Sequence, residues 1–345
     1  MNEKLIKDVF SKMAEYKPAL QKYLIADEQD EEVDVRILGD LIIRNFPWPI
    51  GVELRRLFSG AMRSLDRGRL DQLFKTIERT MQFLSFVLVA QLWEERIKGN
   101  IDLSGEFTSQ FRHRFNELTL GNYSWLIRAI CKAFAQTNTD HFIIEKKTAF
   151  NNKFFESLDF WVPERNEIGH YQINLTTDEI ERRCVEYEDK LSMILQSIAF
   201  FVNYKLVTVR QINVLKKKHS IASFNHFMDL LNSSDSDFKG TEVQHDIFAD
   251  SNSVLLLKDF KAPNDYLNLS PLIIDTRTEV IDQKEKFSIK KDIFLYTKFQ
   301  NGKLFYVGTE VTEKCDLSHL SSYPDLLTQF SEMMKYILNS SPIEV

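Results

Sequence analysis

A guanidinium, an amide and an imidazole occur within six residues near the middle of the chain, at Arg165, Asn166 and His170. Pro163 stands just before them, and proline suits the first position of a helix, so we expect a helical turn to start here. The first turn of a helix has free backbone N–H groups that hold an anion. Asn166 and His170 are four residues apart and share one helix face. The spacing therefore predicts a small site where three polar side chains converge.

These residue types suit chemistry at a phosphate. Arg165 can clamp a phosphate through two hydrogen bonds and stays charged. His170 can transfer protons at neutral pH, because an unperturbed histidine has a pKa of about 6.5. Asn166 can orient His170 or hydrogen-bond a substrate. Taken alone, an arginine and a histidine at this spacing are more often surface or helix-cap residues, so the surroundings decide between the two interpretations.

The composition is that of an ordinary globular protein, and 345 residues are enough for two domains. The net charge of −6 argues against a general polyanion binder but does not exclude a locally basic site. Three widely separated cysteines indicate reduced thiols in a cytoplasmic protein. The amino terminus lacks a signal-peptide core, and the longest near-apolar run, 81–93, is too short to cross a bilayer. We expect a cytoplasmic location and no membrane partner.

Motifs for other chemistries are missing from the sequence. His113, His141 and His245 lack the spacing of metal ligands, so we expect no metal and no other cofactor. There is also no Gly-rich phosphate loop, no GxSxG and no protein-kinase signature. Hydrolase, kinase and dinucleotide-enzyme interpretations therefore have no residues to support them.

Helical periodicity dominates the first part of the chain. We expect helices at 1–24 with a bend at Pro18, and at 33–44, 51–62, 65–97, 105–117, 121–136 and 147–159. Thr176 and Glu179 form a capping box, and an apolar stripe from Ile180 to Phe201 predicts a helix that runs to about Tyr204.

Beyond a polar stretch the apolar period changes to that of strands. We expect strands at 253–260, 267–276, 293–300 and 303–310. Asn301-Gly302 predicts a hairpin turn, and Ser322 precedes a final helix to about Leu338 that covers the sheet. The fold class is therefore mainly α: a helical domain over 1–220 with an N-terminal helical extension 1–45, a linker over 221–252, and a small α+β domain over 253–345 with one antiparallel sheet.

The segment Arg165-Asn166-Glu167-Ile168-Gly169-His170 resembles the R-x4-6-H motif of the HEPN superfamily, in which a polar residue often follows the arginine. The resemblance extends in organisation over about 50–215, because the motif lies among helices and precedes a long capped helix. It implies a HEPN-like helical bundle and a metal-independent endoribonuclease, with Arg165, Asn166 and His170 as catalytic residues. It also implies a homodimer with a composite active site, acting as a toxin or effector in a bacterial toxin–antitoxin or antiphage defence system. An antitoxin or a defence-system protein would then be a partner.

The chemistry of RNA cleavage is consistent with this resemblance. Without a metal, the reaction needs a base for the ribose 2′-hydroxyl, a proton donor for the leaving oxygen, and positive charge at the phosphorane. One histidine per chain leaves the second proton transfer unfilled, so a dimer that brings two copies together follows from the chemistry as well. The alternative is a non-catalytic HEPN-like module that binds RNA or a partner protein, or acts as a sensor.

Further residues near the motif have two interpretations each. Tyr171 can stack on an RNA base or pack in the core. Glu164 and Glu167 flank the motif, and we expect them to complement the positive end of a helix rather than to hold Arg165. A basic group beyond the long helix forms either an RNA-backbone track or a solvated helix C-terminus. Its predicted substrate-binding members are Lys205, Arg210, Lys216 and Lys217.

Overall fold

Helices form over most of the length where the sequence predicts them. The computed structural model describes residues 3–25, 34–137, 141–171, 175–231, 240–245, 250–260, 265–277, 291–310 and 314–339, and for residues 168–171 and 245 the description covers the backbone alone. The helices, in chain order, are α1 (Glu3–Tyr16), α2 (Lys22–Ile25), α3 (Val35–Asn45), α4 (Trp48–Leu57), α5 (Arg67–Ile97), α6 (Gly105–Phe115), α7 (Leu120–Ala135), α8 (Lys146–Ala149), α9 (Asn152–Tyr171), α10 (Thr177–Ser197) and α11 (Tyr323–Leu338). Short 3-10 segments lie at Pro18–Leu20, Gly60–Met62 and Ala199–Asn203.

The strands pair antiparallel wherever their register is defined. They are β1 (Lys205–Leu215), β2 (Ser223–Leu230), β3 (Gly240–His245), β4 (Val254–Leu257), β5 (Tyr266–Asn268), β6 (Ile273–Asp275), β7 (Ile293–Gln300), β8 (Lys303–Gly308) and β9 (Lys314–Asp316). They form a five-stranded sheet in the order β3-β2-β1-β4-β5 and a four-stranded sheet in the order β6-β7-β8-β9. The prediction of a mainly helical fold with a small α+β region is confirmed.

The chain divides into two compact units that are not the two predicted domains. The first unit comprises 1–83, 143–205 and 231–238, and the second comprises 84–142, 206–230 and 239–345. The boundary predicted near residue 220 is therefore misplaced, because α6 and α7 belong with the strands. The predicted linker over 221–252 is also wrong in part, since it contains β2 and β3.

The first unit is a helical bundle built on amphipathic stripes. In α1 one face is buried, with Leu5, Val9, Phe10 and Met13 at its centre, and this helix contacts α3 and α10. The predicted N-terminal extension is thus part of the core of this unit. Burial of such a stripe is what stabilises a helix of this length.

Helix α10 begins as the sequence predicts but ends earlier. The Thr176 side chain accepts a hydrogen bond from the Glu179 N–H at 3.3 Å, so the predicted cap is confirmed. The helix ends at Ser197 instead of Tyr204, and a 3-10 segment leads into β1 at Lys205. Residues 198–202 are all buried, so an apolar run this continuous does not reveal where the helix gives way to a strand.

The second unit contains both sheets and α11. In the five-stranded sheet, one apolar face has Val207, Val209, Met228, Leu255 and Leu257 at its core. The sequence predicted one sheet. The additional sheet was missed mainly because β1, β2 and β3 lie in segments that were predicted to be a helix end and a linker. Residues 206–209 of β1 are buried in succession, and Val207 and Val209, two residues apart, lie on the apolar face that these strands share.

The four-stranded sheet contains the predicted hairpin and is covered by the predicted final helix. Asn301 and Gly302 connect β7 to β8 with φ angles of 53° and 73°, the left-handed conformation that such a two-residue turn requires. Phe330 of α11 packs on Tyr296 of β7 with ring centroids 5.2 Å apart. The segment after α6 also pairs with β7, where the Leu118 N–H donates to the Thr297 carbonyl at 2.9 Å. None of the helices in the described ranges is long and apolar enough to span a membrane.

The β7–β8 turn provides a test of the hairpin geometry. We expect Gly302→Ala to lower the free energy of unfolding by about 1 kcal/mol, because its positive φ is costly for any residue with a Cβ. A Cβ at Gly302 meets no atom within 4 Å, so the effect is purely conformational. Urea unfolding followed by circular dichroism measures the change.

Gly105 is the matched control in the same unit. A Cβ there also meets nothing within 4 Å, but Gly105 opens α6 without a positive φ. Gly105→Ala should leave stability unchanged or raise it by about 0.5 kcal/mol. Equal losses in both variants would contradict the turn assignment.

Candidate functional site

The Arg-Asn-His motif lies near the end of α9, a helix that begins well before Pro163. The Asn151 side chain accepts a hydrogen bond from the Phe154 N–H at 3.2 Å and marks the start of the helix. Pro163 lies inside the helix. The predicted helix start at Pro163 is therefore wrong, and so is the predicted anion site at free N–H groups of residues 164–166. Those groups lie in the interior of a helix, where they face the preceding turn.

Packing explains why α9 continues through a proline. Pro163 cannot donate a hydrogen bond to the carbonyl of Asp159, which weakens the helix at that point. Two residues earlier, however, Trp161 is completely buried, and its ring lies 5.6 Å from that of Phe74 and 5.4 Å from that of Tyr187. Burying an aromatic side chain of this size stabilises the fold by more than most local preferences cost.

A buried arginine on α10 binds the part of α9 that follows Pro163. Arg183 is 8% exposed, and its guanidinium donates to Glu164 at 3.3 Å and to Glu167 at 2.5 Å. It also donates to Glu179 on its own helix at 3.3 Å and to the Tyr187 hydroxyl at 3.2 Å. The Tyr187 hydroxyl in turn donates to the Glu164 carboxylate. We call these five residues the Arg183 cluster.

The Arg183 cluster changes the protonation equilibria of its members. Burial disfavours the charged form of Arg183, but hydrogen bonds to Glu167 and Tyr187 outweigh that effect and raise its pKa. Burial also raises the pKa of Tyr187, and the hydrogen bond to Glu164 raises it further. Arg183 is thus a fixed cation and Tyr187 a neutral donor.

The cluster also corrects the expected role of the flanking glutamates. Glu164 and Glu167 were expected to complement a helix N-terminus, but both are ion-paired with Arg183. Sequence reasoning missed Arg183 altogether. A usable signal was its position beside the buried stripe residue Cys184, with Glu179 and Tyr187 four residues away on either side.

Arg165 and Asn166 of the motif lie outside this packing. Arg165 and Asn166 are both exposed, and neither has a side-chain partner among the residues that the structure describes. Asn166 and His170 are one helical turn apart on α9 and therefore share a face. The side chains of His170 and Tyr171 lie outside the described part of the chain. The predicted roles of these four residues stay predictions.

The predicted basic group lies in β-structure and not at a helix C-terminus. Lys205 begins β1 and is half-buried, and Arg210 in the same strand pairs with Asp229 at 3.3 Å. Lys216 and Lys217 lie in the turn between β1 and β2 and are exposed. The helix-terminus interpretation is therefore wrong, whereas the RNA-track interpretation stays a prediction.

Other chemistries find no support among the described residues. Within those ranges there is no group of three or more His, Cys, Asp or Glu side chains placed to hold a metal ion. Burial raises the pKa of the Cys184 thiol to about 11, so it is protonated near neutral pH and unsuited to act as a nucleophile. No protein-family model, no curated protein and no solved structure matches the chain.

The Arg183 cluster predicts a large effect on stability. We expect Arg183→Gln to lower the free energy of unfolding by about 2–3 kcal/mol, because Glu164 and Glu167 then lose their cation in a partly buried site. Urea unfolding followed by tryptophan fluorescence, to which Trp161 beside Tyr187 contributes, measures the loss.

The neighbouring Arg182 is exposed and provides a matched control. Arg182→Gln should change stability by no more than about 0.5 kcal/mol. Adding Glu164→Gln to Arg183→Gln should restore part of the loss, since one uncompensated carboxylate is removed. Equal midpoints for the two arginine variants would show that the cluster does not hold α9 to α10.

Proposed function

We propose that this protein is a metal-independent endoribonuclease of the HEPN type, with Arg165, Asn166 and His170 in its active site. One observation carries the proposal. Glu164 and Glu167 are ion-paired with Arg183, whereas Arg165 and Asn166 are exposed at the same end of α9 and without a side-chain partner among the described residues.

This division of charges favours phosphate binding by Arg165. A carboxylate beside a phosphate-binding arginine would compete for the guanidinium and repel the phosphate. The ion pairs with Arg183 satisfy the two nearest carboxylates in the sequence, and they draw those side chains toward α10. An exposed arginine that is not committed to an internal ion pair is suited to clamp a diester through two parallel hydrogen bonds.

The proposed reaction uses the RNA 2′-hydroxyl as the nucleophile. A base removes its proton while the oxygen attacks phosphorus, which forms a 2′,3′-cyclic phosphate and breaks the bond to the 5′-oxygen. The leaving 5′-oxygen takes a proton and becomes a hydroxyl. His170 performs one proton transfer, Arg165 stabilises the charge on the phosphorane oxygens, and Asn166 orients His170 or the substrate.

One chain supplies one histidine from the motif, so a single copy is half of the proposed site. A homodimer that brings two motifs together provides the second histidine and a second guanidinium. The proposal therefore includes a composite site shared by two copies. Its biological role would be that of a cytoplasmic toxin or effector whose antitoxin or defence-system partner controls the RNA cleavage.

Nuclease activity tests the site directly. Purified protein in EDTA should cleave mixed RNA, and the ends should carry cyclic phosphate. His170→Ala and Arg165→Ala should each lower the rate by on the order of 100-fold, because each removes a group that acts in the transition state. Asn166→Ala should lower it by about tenfold, as expected for the loss of one hydrogen bond.

His113→Ala and Arg182→Ala are the controls, since both replace exposed side chains of the same types. Neither should change the rate. If EDTA abolishes cleavage, the metal-free mechanism fails. If the wild-type protein binds RNA but does not cut it with or without a partner protein, the non-catalytic binding module is the better interpretation.

The composite site predicts how mixtures of copies behave. When wild-type and His170→Ala chains exchange freely at equal amounts, only about a quarter of dimers contain two wild-type copies. Activity per dimer should fall to about that fraction, whereas independent sites would keep about half. Light scattering on the same samples should give the mass of two chains, and a mass of one chain with and without RNA would refute the shared site.

A further inference from the structure

The turn between β1 and β2 contains Lys216 and Lys217 of the predicted RNA track, and its other side chains favour a different ligand. We call residues 213–222 the β1–β2 tip. Its three large aliphatic side chains are among the most exposed in the described chain: Val214 is 61% exposed, Leu215 47% and Ile221 88%. All three lie within eight residues at one end of the hairpin, and Val214 and Leu215, being consecutive in β1, face opposite sides of it. Such a concentration of exposed aliphatic groups at one tip indicates a surface that binds something.

The β1–β2 tip has a defined conformation. Leu215 pairs with Ser223 in the antiparallel register of β1 and β2. The Ser220 N–H donates to the Lys217 carbonyl at 3.2 Å, and the Lys216 ammonium donates to the Ser220 carbonyl. A turn held by such bonds is already ordered, which lowers the entropic cost of binding.

The charge of the tip has one sign. Lys216, Lys217 and Lys218 follow one another, and residues 213–222 include no aspartate or glutamate. The first carboxylate met along β2 belongs to Asp229, and it is paired with Arg210. The chain as a whole has a net charge of −6, so this cationic patch stands out against its overall charge. Its partner should therefore be anionic and in direct contact with it.

We infer that the β1–β2 tip docks on an anionic lipid surface. Aliphatic side chains beside lysines match the interface of a bilayer, where the former enter the acyl boundary and the latter bind headgroups. Single-stranded RNA would favour large aromatic side chains on which its bases stack, and residues 213–222 contain no Phe, Tyr or Trp, their one aromatic ring being the imidazole of His219. Docking at the surface requires no spanning helix, but it departs from the sequence-based expectation of no membrane partner.

Vesicle sedimentation with the full-length protein tests the inference. The protein should sediment with vesicles of phosphatidylcholine and phosphatidylserine but not with phosphatidylcholine alone. Each lysine near an anionic surface contributes about a fivefold gain in partitioning, so replacing Lys216, Lys217 and Lys218 by Gln should lower binding by on the order of 100-fold. Ile221→Ser should lower it by several fold without changing the charge.

Two matched controls separate the tip from general charge and hydrophobicity. Replacing the exposed Lys7, Lys75 and Lys153 by Gln removes the same charge from other elements, and Ile37→Ser replaces an isoleucine that is 51% exposed elsewhere. Both should bind vesicles like the wild-type protein, and all variants should keep the wild-type thermal transition because the side chains are exposed.

Three results would overturn the inference. The first is no binding to anionic vesicles, and the second is binding that neither tip variant reduces. The third is a pair of observations: the lysine variant loses RNA binding, and Ile221→Ser leaves vesicle binding unchanged. That pair would instead assign the tip to RNA. Nuclease activity is not measured in this experiment, so failure of the proposed active site would not affect the result.

Discussion

The buried cation of Arg183 is the interaction on which the helical half of this protein depends. Removing a guanidinium from water is costly, and the cost is met only when anions and hydrogen-bond acceptors surround it. Here those groups come from two helices: Glu164 and Glu167 from α9, and Glu179 and Tyr187 from α10. Because the acceptors come from both helices, the cluster ties α9 to α10 and favours one rotation of α9 about its axis.

That rotation links the packing of α9 to the proposed chemistry. With residues 164 and 167 directed to Arg183, helical geometry gives Arg165 and Asn166 other directions, and both are exposed. The same ion pairs remove two carboxylates from competition for Arg165. The Arg183 cluster and the proposed phosphate site thus depend on one distribution of charge. Arg183 is ion-paired within the fold, whereas Arg165 on α9 is the arginine proposed to bind a phosphate.

The sequence correctly predicted those helices and turns that a few adjacent residues determine. The cap at Thr176, the turn at Asn301-Gly302 and the helix Tyr323–Leu338 each depend on a few adjacent residues, and each is confirmed. The helix start predicted at Pro163 failed because a distant contact, between Trp161 and Phe74, outweighs a local preference. The domain boundary failed for a similar reason, since the pairing of residue 118 with residue 297 cannot be read from either segment alone.

The candidate site shows the same limit more sharply. The types and spacing of Arg165, Asn166 and His170 are visible in the sequence, but the availability of a cation depends on where the carboxylates fold. Arg210 looks like Lys216 in a sequence, yet Arg210 is paired with Asp229 in the sheet, whereas Lys216 lies in a tip that contains no carboxylate. Counting basic residues therefore identifies candidates, and only the positions of the acidic side chains decide which of them can bind a ligand.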